Sequence, residues 1–223
     1  MATLKGDFTK EDPWRIFRIM SEFVDGFEEL SDVNNAVTIF GSAKSDPSSK
    51  FYKSAETTAA LLVEHGYSVI TGAGPGIMEA ANKGAKKAGG ESIGLNILIP
   101  TQQKPNKHIT RVVEFKYFFC RKVMFLKYAK ALVAFPGGFG TLDEFFEAIT
   151  LVQTNRIDSF PIIVVDKKYW KGLISWMEDT LLSNKMIDKP DLGIFKVVDT
   201  PREVVSLIND FYKRNKPSPK RLL

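Results

Sequence analysis

The sequence predicts an α/β fold of the Rossmann-like, doubly wound type, a mostly parallel sheet with helices on both faces, preceded by an N-terminal helix. Three observations predict it. Short runs of almost wholly apolar, β-favouring residues recur along the chain, amphipathic stretches of helical length separate them, and no Pro/Ser linker or change of composition divides the series. Strands that are apolar throughout are covered on both sides, as in a parallel sheet built from crossover helices. The 223 residues are therefore expected to form a single Rossmann-like domain, with a basic tail over 214–223.

The elements follow in order. From Pro13 to about Leu30, Trp14, Phe17, Ile19, Met20, Phe23, Val24, Phe27 and Leu30 give a helix a broad apolar face, suited to packing on the body or on a second subunit. Ala36–Phe40 reads as a buried strand stopped by Gly41-Ser42, and Phe51 to His65 as a helix ended by Gly66. Tyr67–Thr71 is the next strand. It runs into Gly72-Ala73-Gly74-Pro75-Gly76, after which a helix spans Ile77 to about Ala88. Ser92–Ile97 and Thr110–Phe115 are strands, with a polar loop around Pro100 to Asn106 between them. A helix over Phe118–Lys130 leads to the apolar strand Ala131–Phe135 and then to Pro136-Gly137-Gly138. Leu142–Gln153 is helical, Pro161–Val165 a strand, Tyr169–Leu182 a helix, Phe195–Val198 the last strand and Thr200-Pro201 the opening of a final helix to about Tyr212.

Bulk composition excludes several classes. One cysteine, Cys120, rules out an intrachain disulfide framework and a cysteine-only metal site, and fits a cytoplasmic protein. No signal peptide is expected, and no run of about 18 apolar residues suggests a membrane span. The net charge of +5 is partly concentrated in the tail, and no helix-turn-helix, zinc or RNA-binding aromatic pattern accompanies it, so nucleic acid is not the expected partner. His65 and His108 form no cluster with other ligand types; no metal and no cofactor are expected.

Ligands of an open parallel sheet bind at the carboxyl ends of its strands. Three turns fall there: Gly41-Ser42, Gly72 to Gly76, and Gly137 to Thr141. The second superficially resembles a dinucleotide fingerprint, but Pro75 breaks the spacing, and no Gly-Lys-Ser/Thr makes it a Walker A loop. In the third, Gly137, Gly138 and Gly140 allow a backbone to approach an anion, and Thr141 stands where a helix N-cap would be. Thr141-Leu142-Asp143-Glu144 also fits a capping box, which would give Glu144 a purely structural task. Against that, two carboxylates beside an anion site suit contact with ribose hydroxyls or a developing cation.

Pro136-Gly137-Gly138-Phe139-Gly140-Thr141-Leu142-Asp143-Glu144 resembles the PGGxGTxxE motif of the LOG (lonely guy) family, whose members are nucleotide 5′-monophosphate phosphoribohydrolases, many once labelled lysine decarboxylases. Arg121-Lys122 matches the family's upstream Arg-Lys pair, here in the Phe-Phe-Cys-Arg-Lys form of a longer bacterial branch. The resemblance implies hydrolysis of the N-glycosidic bond of a nucleoside or cytokinin riboside 5′-monophosphate to free base and ribose 5-phosphate. It implies Glu144 and Arg121 as catalytic residues, with Asp143 as ribose ligand or alternative base. Gly137, Gly138, Gly140 and Thr141 would hold the phosphate, Lys122 would contact the substrate, Ser42, Gly74, Gly76 and Met78 would wall the pocket, and Glu114 would approach the base. Two alternatives stand beside it: a non-catalytic nucleotide or cofactor carrier, and an amino-acid decarboxylase, for which no lysine in a Schiff-base context stands out. A homodimer is expected from the apolar surface of the N-terminal helix and of the helix that follows Arg121.

Overall fold

The computed structural model describes residues 14–98 and 104–215. Parts of the expected N-terminal helix, of the polar loop and of the basic tail (Pro13, residues 99–103 and 216–223) lie outside them. Seven strands form one sheet: β1 (Ala36–Phe40), β2 (Ser68–Thr71), β3 (Ser92–Ile97), β4 (Arg111–Phe115), β5 (Ala129–Ala134), β6 (Ile162–Val165) and β7 (Phe195–Val198). Their order is β4-β3-β2-β1-β5-β6-β7, and every neighbouring pair is parallel. The chain steps outward from β1 to β4, then returns to β1's other side to begin β5. That reversal opens a crevice at the carboxyl ends of β1 and β5.

The helices are α1 (Arg15–Glu29), α2 (Lys50–Glu64), α3 (Ile77–Lys87), α4 (Phe118–Lys127), α5 (Phe139–Gln153), α6 (Lys167–Trp176) and α7 (Pro201–Arg214). Alternation along the strands sorts them into two layers. Val37 and Ile39 of β1 pack with the buried faces of α2, α3 and α7. Phe40, Leu95, Phe115 and Leu132 pack with α4, α5 and α6, against which Ile19 and Phe23 of α1 also rest. The broad apolar face expected of α1 is thus divided. Leu30 is buried and Ile19 and Phe23 are half-buried, whereas Trp14, Phe17, Met20, Val24 and Phe27 are exposed.

Several boundaries differ from expectation for tertiary reasons. Helix α4 stops at Lys127 rather than Lys130, and β5 starts at Ala129 rather than Ala131, because β1 pairs with the chain from Ala129 onward. Backbone pairing overrides the helical pattern there. Asp166 accepts a hydrogen bond from the Tyr169 amide, so α6 begins at Lys167, two residues earlier than apolar spacing suggests. Its expected end is also altered: Met177–Leu182 continue as a π-helix. A short 3₁₀ turn, Lys189–Gly193, precedes β7. The largest local correction concerns α5. Its N-cap is Gly138 and it starts at Phe139, so Thr141 lies inside the first turn and caps nothing through its side chain. Among the described residues no helix is long and apolar enough to cross a membrane.

Candidate active site

A cavity of about 540 Å³ lies at the carboxyl ends of β1 and β5. Three turns build it, tied in series by backbone hydrogen bonds. The Ser42 amide donates to Pro136 O (3.0 Å) and the Ile77 amide donates to Ser42 O (3.0 Å), so the turns after β1, β2 and β5 hold one another. Glycines make the approach possible. A methyl group on Gly76 would sit 2.3 Å from Ser42 O, and one on Gly137 would sit 2.1 Å from Thr141 Oγ1. Gly138 and Gly140, which line the cavity, face open space instead.

Opposite this glycine rim stands Arg121. Its guanidinium lies between the rings of Phe118 and Phe125, 5.3 Å from each centroid, while Nη1 reaches Leu95 O at 3.5 Å. The Nε of Arg121 is buried without a hydrogen-bond partner. Burial lowers its pKa and nearby Glu144 works to raise it; an arginine nonetheless keeps its charge at neutral pH. Glu144 is only 6% exposed. Burial, reinforced by Glu147, lifts its carboxyl to about 8, although Lys122 and Arg121 pull the other way. Lys122 bridges Asp143 Oδ1 (3.0 Å) and Glu147 Oε2 (3.2 Å). Burial would lower the lysine's pKa, but the Asp143 hydrogen bond and the surrounding carboxylates raise it overall.

Of the residues singled out from sequence, Ser42, Met78, Arg121, Gly138, Gly140, Thr141, Asp143 and Glu144 line one cavity. Four others stand behind that wall. Gly137 packs beneath Thr141, Gly76 packs against Ser42, Gly74 O accepts a bond from Asn106, and Lys122 reaches Asp143 from the side. Glu114 is different: it is exposed on the edge strand β4 and does not line the cavity. Asp143 and Glu144 fall in the second turn of α5 because the helix begins at Phe139, which takes both carboxylates away from the first amides.

Sequence reasoning missed Phe40, Ile97, Phe118, Phe125 and Lys44 as lining residues, and Glu147 as the neighbour of Glu144. The apolar pair Phe118 and Phe125 was recoverable. Phe118, Arg121 and Phe125 are spaced three and four apart, so they share one face of α4. Phe40 and Ile97 read as plain strand ends, and nothing in their spacing distinguishes them.

Residues 78–208 match the family model described as possible lysine decarboxylase. A cytokinin riboside 5′-monophosphate phosphoribohydrolase of Rhodococcoides fascians is 24% identical over 146 residues, covering 64% of this chain and 74% of that protein. The enzyme of the same name, LOG1, of Arabidopsis thaliana is 28% identical over 95 residues, covering 43% of this chain and 44% of its own length. Among solved structures, the molybdenum cofactor binding protein of Rippkaea orientalis superimposes with a TM-score of 0.58 at 21% identity, over 80% of this chain and 97% of that one. At that identity the likeness concerns the fold.

Proposed function

This chain belongs to the possible lysine decarboxylase family, and from that premise we propose that it hydrolyses the N-glycosidic bond of nucleoside 5′-monophosphates. The observation that carries the reading is a single cavity lined by the open amino end of α5, a guanidinium and a buried carboxyl. The names of the phosphoribohydrolase relatives support the same substrate class. A phosphate would lie against the first amides of α5 near Gly138, Gly140 and Thr141, where backbone donors and the helix dipole favour an anion. Arg121 would set a fixed positive charge against the phosphate or the departing base.

Breaking the C1′–N bond leaves positive charge on the ribose ring, and a water oxygen forms the new bond to C1′ while the base leaves with a proton. In its ionised form, which the developing cation favours, Glu144 is the group placed to stabilise that charge and to orient or deprotonate the water. Asp143, held by Lys122, serves as a ribose ligand. A carrier would need the anion site but not a carboxyl buried at such cost, and that favours turnover over storage. A decarboxylase working through pyridoxal phosphate is disfavoured: Lys122 is committed to two carboxylates, and Lys44 is an exposed residue at the rim. The exposed apolar stripe of α1 would be covered in a homodimer, which light scattering would register as twice the chain mass.

The test is direct. Purified protein is incubated with AMP, GMP, CMP and UMP, and free base is measured. Base released from at least one monophosphate is expected; clear binding of monophosphates with no release from any of them would leave a carrier.

A further inference from the structure

We propose that Glu22 is a positioning residue: its carboxylate, projecting from α1, caps helix α4 and thereby fixes Arg121 in the cavity. The proposal rests on the role given to Arg121 above. Helix α1 lies outside residues 78–208, the part matched by the family, yet it is wired to the helix that carries the Arg121-Lys122 pair.

Helix α4 has no cap of its own. Its N-cap residue, Tyr117, makes no side-chain cap bond, and its first turn contains no acidic residue. At a helix start the leading amides need acceptors and the helix dipole favours a negative charge. In a capping box, a glutamate at the third helical position turns back to accept from the N-cap amide. In α4 that third position is Cys120, which cannot do so. Glu22 does it from another helix. Its Oε2 accepts from the Tyr117 amide (3.0 Å) and its Oε1 from the Lys116 amide (2.7 Å). The same carboxylate adjoins Cys120, whose thiol is pushed up to about 12 by burial first and by Glu22 second.

Helix α1 is itself held firmly enough to act as a strut. Arg111 donates to Glu29 O (3.0 Å) just where α1 ends, and Gly26 lies so close to Met124 of α4 that an added methyl group would be 2.7 Å from its Cε. Arg121 sits one turn beyond the capped amides and donates its own amide to Tyr117 O (3.3 Å). A shift of the first turn therefore displaces the guanidinium from its place between Phe118 and Phe125.

The test uses the full chain with Glu22→Ala, Glu22→Gln and, as a control on the same helix, Asp25→Ala. Amide hydrogen exchange and AMP binding by calorimetry are both read. Losing a cap is expected to speed exchange over residues 116–121 by about tenfold. Exchange in α5 should stay unchanged, and AMP affinity should fall about three- to tenfold. Glu22→Gln keeps one acceptor oxygen and should lie between Glu22→Ala and wild type, and it carries the test if the alanine variant does not fold. Unchanged exchange over 116–121, or faster exchange with wild-type AMP affinity, overturns the proposal. If the wild-type protein binds no monophosphate, the functional reading fails instead, and the exchange rates still decide the cap.

Discussion

The two glycine turns at the sheet's carboxyl edge look alike in sequence and do opposite work. In the turn after β2, the backbone is buried and bound. Asn106 Nδ2 lies within hydrogen-bond distance of Ala73 O and Gly74 O (3.1 Å each) and of Asn82 Oδ1 (2.9 Å), and Asn82 Oδ1 accepts from Thr71 Oγ1 (2.7 Å). That polar clamp holds the turn at Ala73, whose φ is +67°, a region most side chains avoid, and Gly76, packed on Ser42, shares that φ. In the turn after β5, Gly138 and Gly140 face open space, and the backbone is held from behind by the Tyr169 hydroxyl, which donates to Gly137 O. One turn is scaffold, and under the proposed function the other is receptor. A glycine count cannot tell them apart, because a missing Cβ serves close packing at Gly76 and Gly137 but leaves open space at Gly138 and Gly140.

Substitutions should separate the two roles. The largest effect is expected at Gly76, where alanine would meet Ser42 O and adopt a positive φ at once. Gly76→Ala should cost more than about 3 kcal/mol by chemical denaturation. A cost under about 1 kcal/mol would mean that the turn relaxes freely. Gly138→Ala should do the reverse. Its φ of −96° suits alanine and its surroundings are empty, so stability should stay within about 0.5 kcal/mol of wild type. Monophosphate affinity should nevertheless fall about tenfold, since the methyl group occupies the space in front of the helix start. Equal affinity would remove Gly138 from the anion site.

A smaller effect bears on what the receptor side costs the fold. The Glu144 carboxyl is raised from its ordinary 4.5 to about 8, so below pH 4.5 it is protonated in folded and unfolded chains alike. As pH rises towards 8 the unfolded chain gives up the proton more readily, and stability is lost across that window. Glu144→Gln removes the titration. Its melting temperature should match wild type near pH 4.5 and exceed it by about 5 °C at pH 9. A difference that is constant with pH would mean that Glu144 is ionised in the free protein throughout.

Much of this was legible in the sequence. Apolar strand runs such as Ala36–Phe40 and Ser92–Ile97 are where the pattern puts them, because both faces of a parallel strand are buried and leave an unbroken signature. Arg121, Gly138, Thr141 and Glu144 converge as their motifs suggest. What was not legible depends on contacts distant in sequence. Thr141 has the composition of a cap but lies within the first turn, because the helix already begins at Phe139 after the extended N-cap Gly138. Glu114 is expected to approach the base, yet it lies exposed on an edge strand and does not line the cavity. Glu22 has no local signature at all, since its partners are Lys116 and Tyr117.

The central claim is that the receptor turn and Glu144 form a reaction centre rather than a storage site. Release of free base from AMP in a single turnover, measured beside AMP affinity for wild type and Glu144→Gln, tests it most directly. The account predicts a loss of turnover of at least about a thousandfold with affinity within about threefold of wild type. Turnover that survives the substitution would contradict it and move the chemistry to Asp143 or elsewhere.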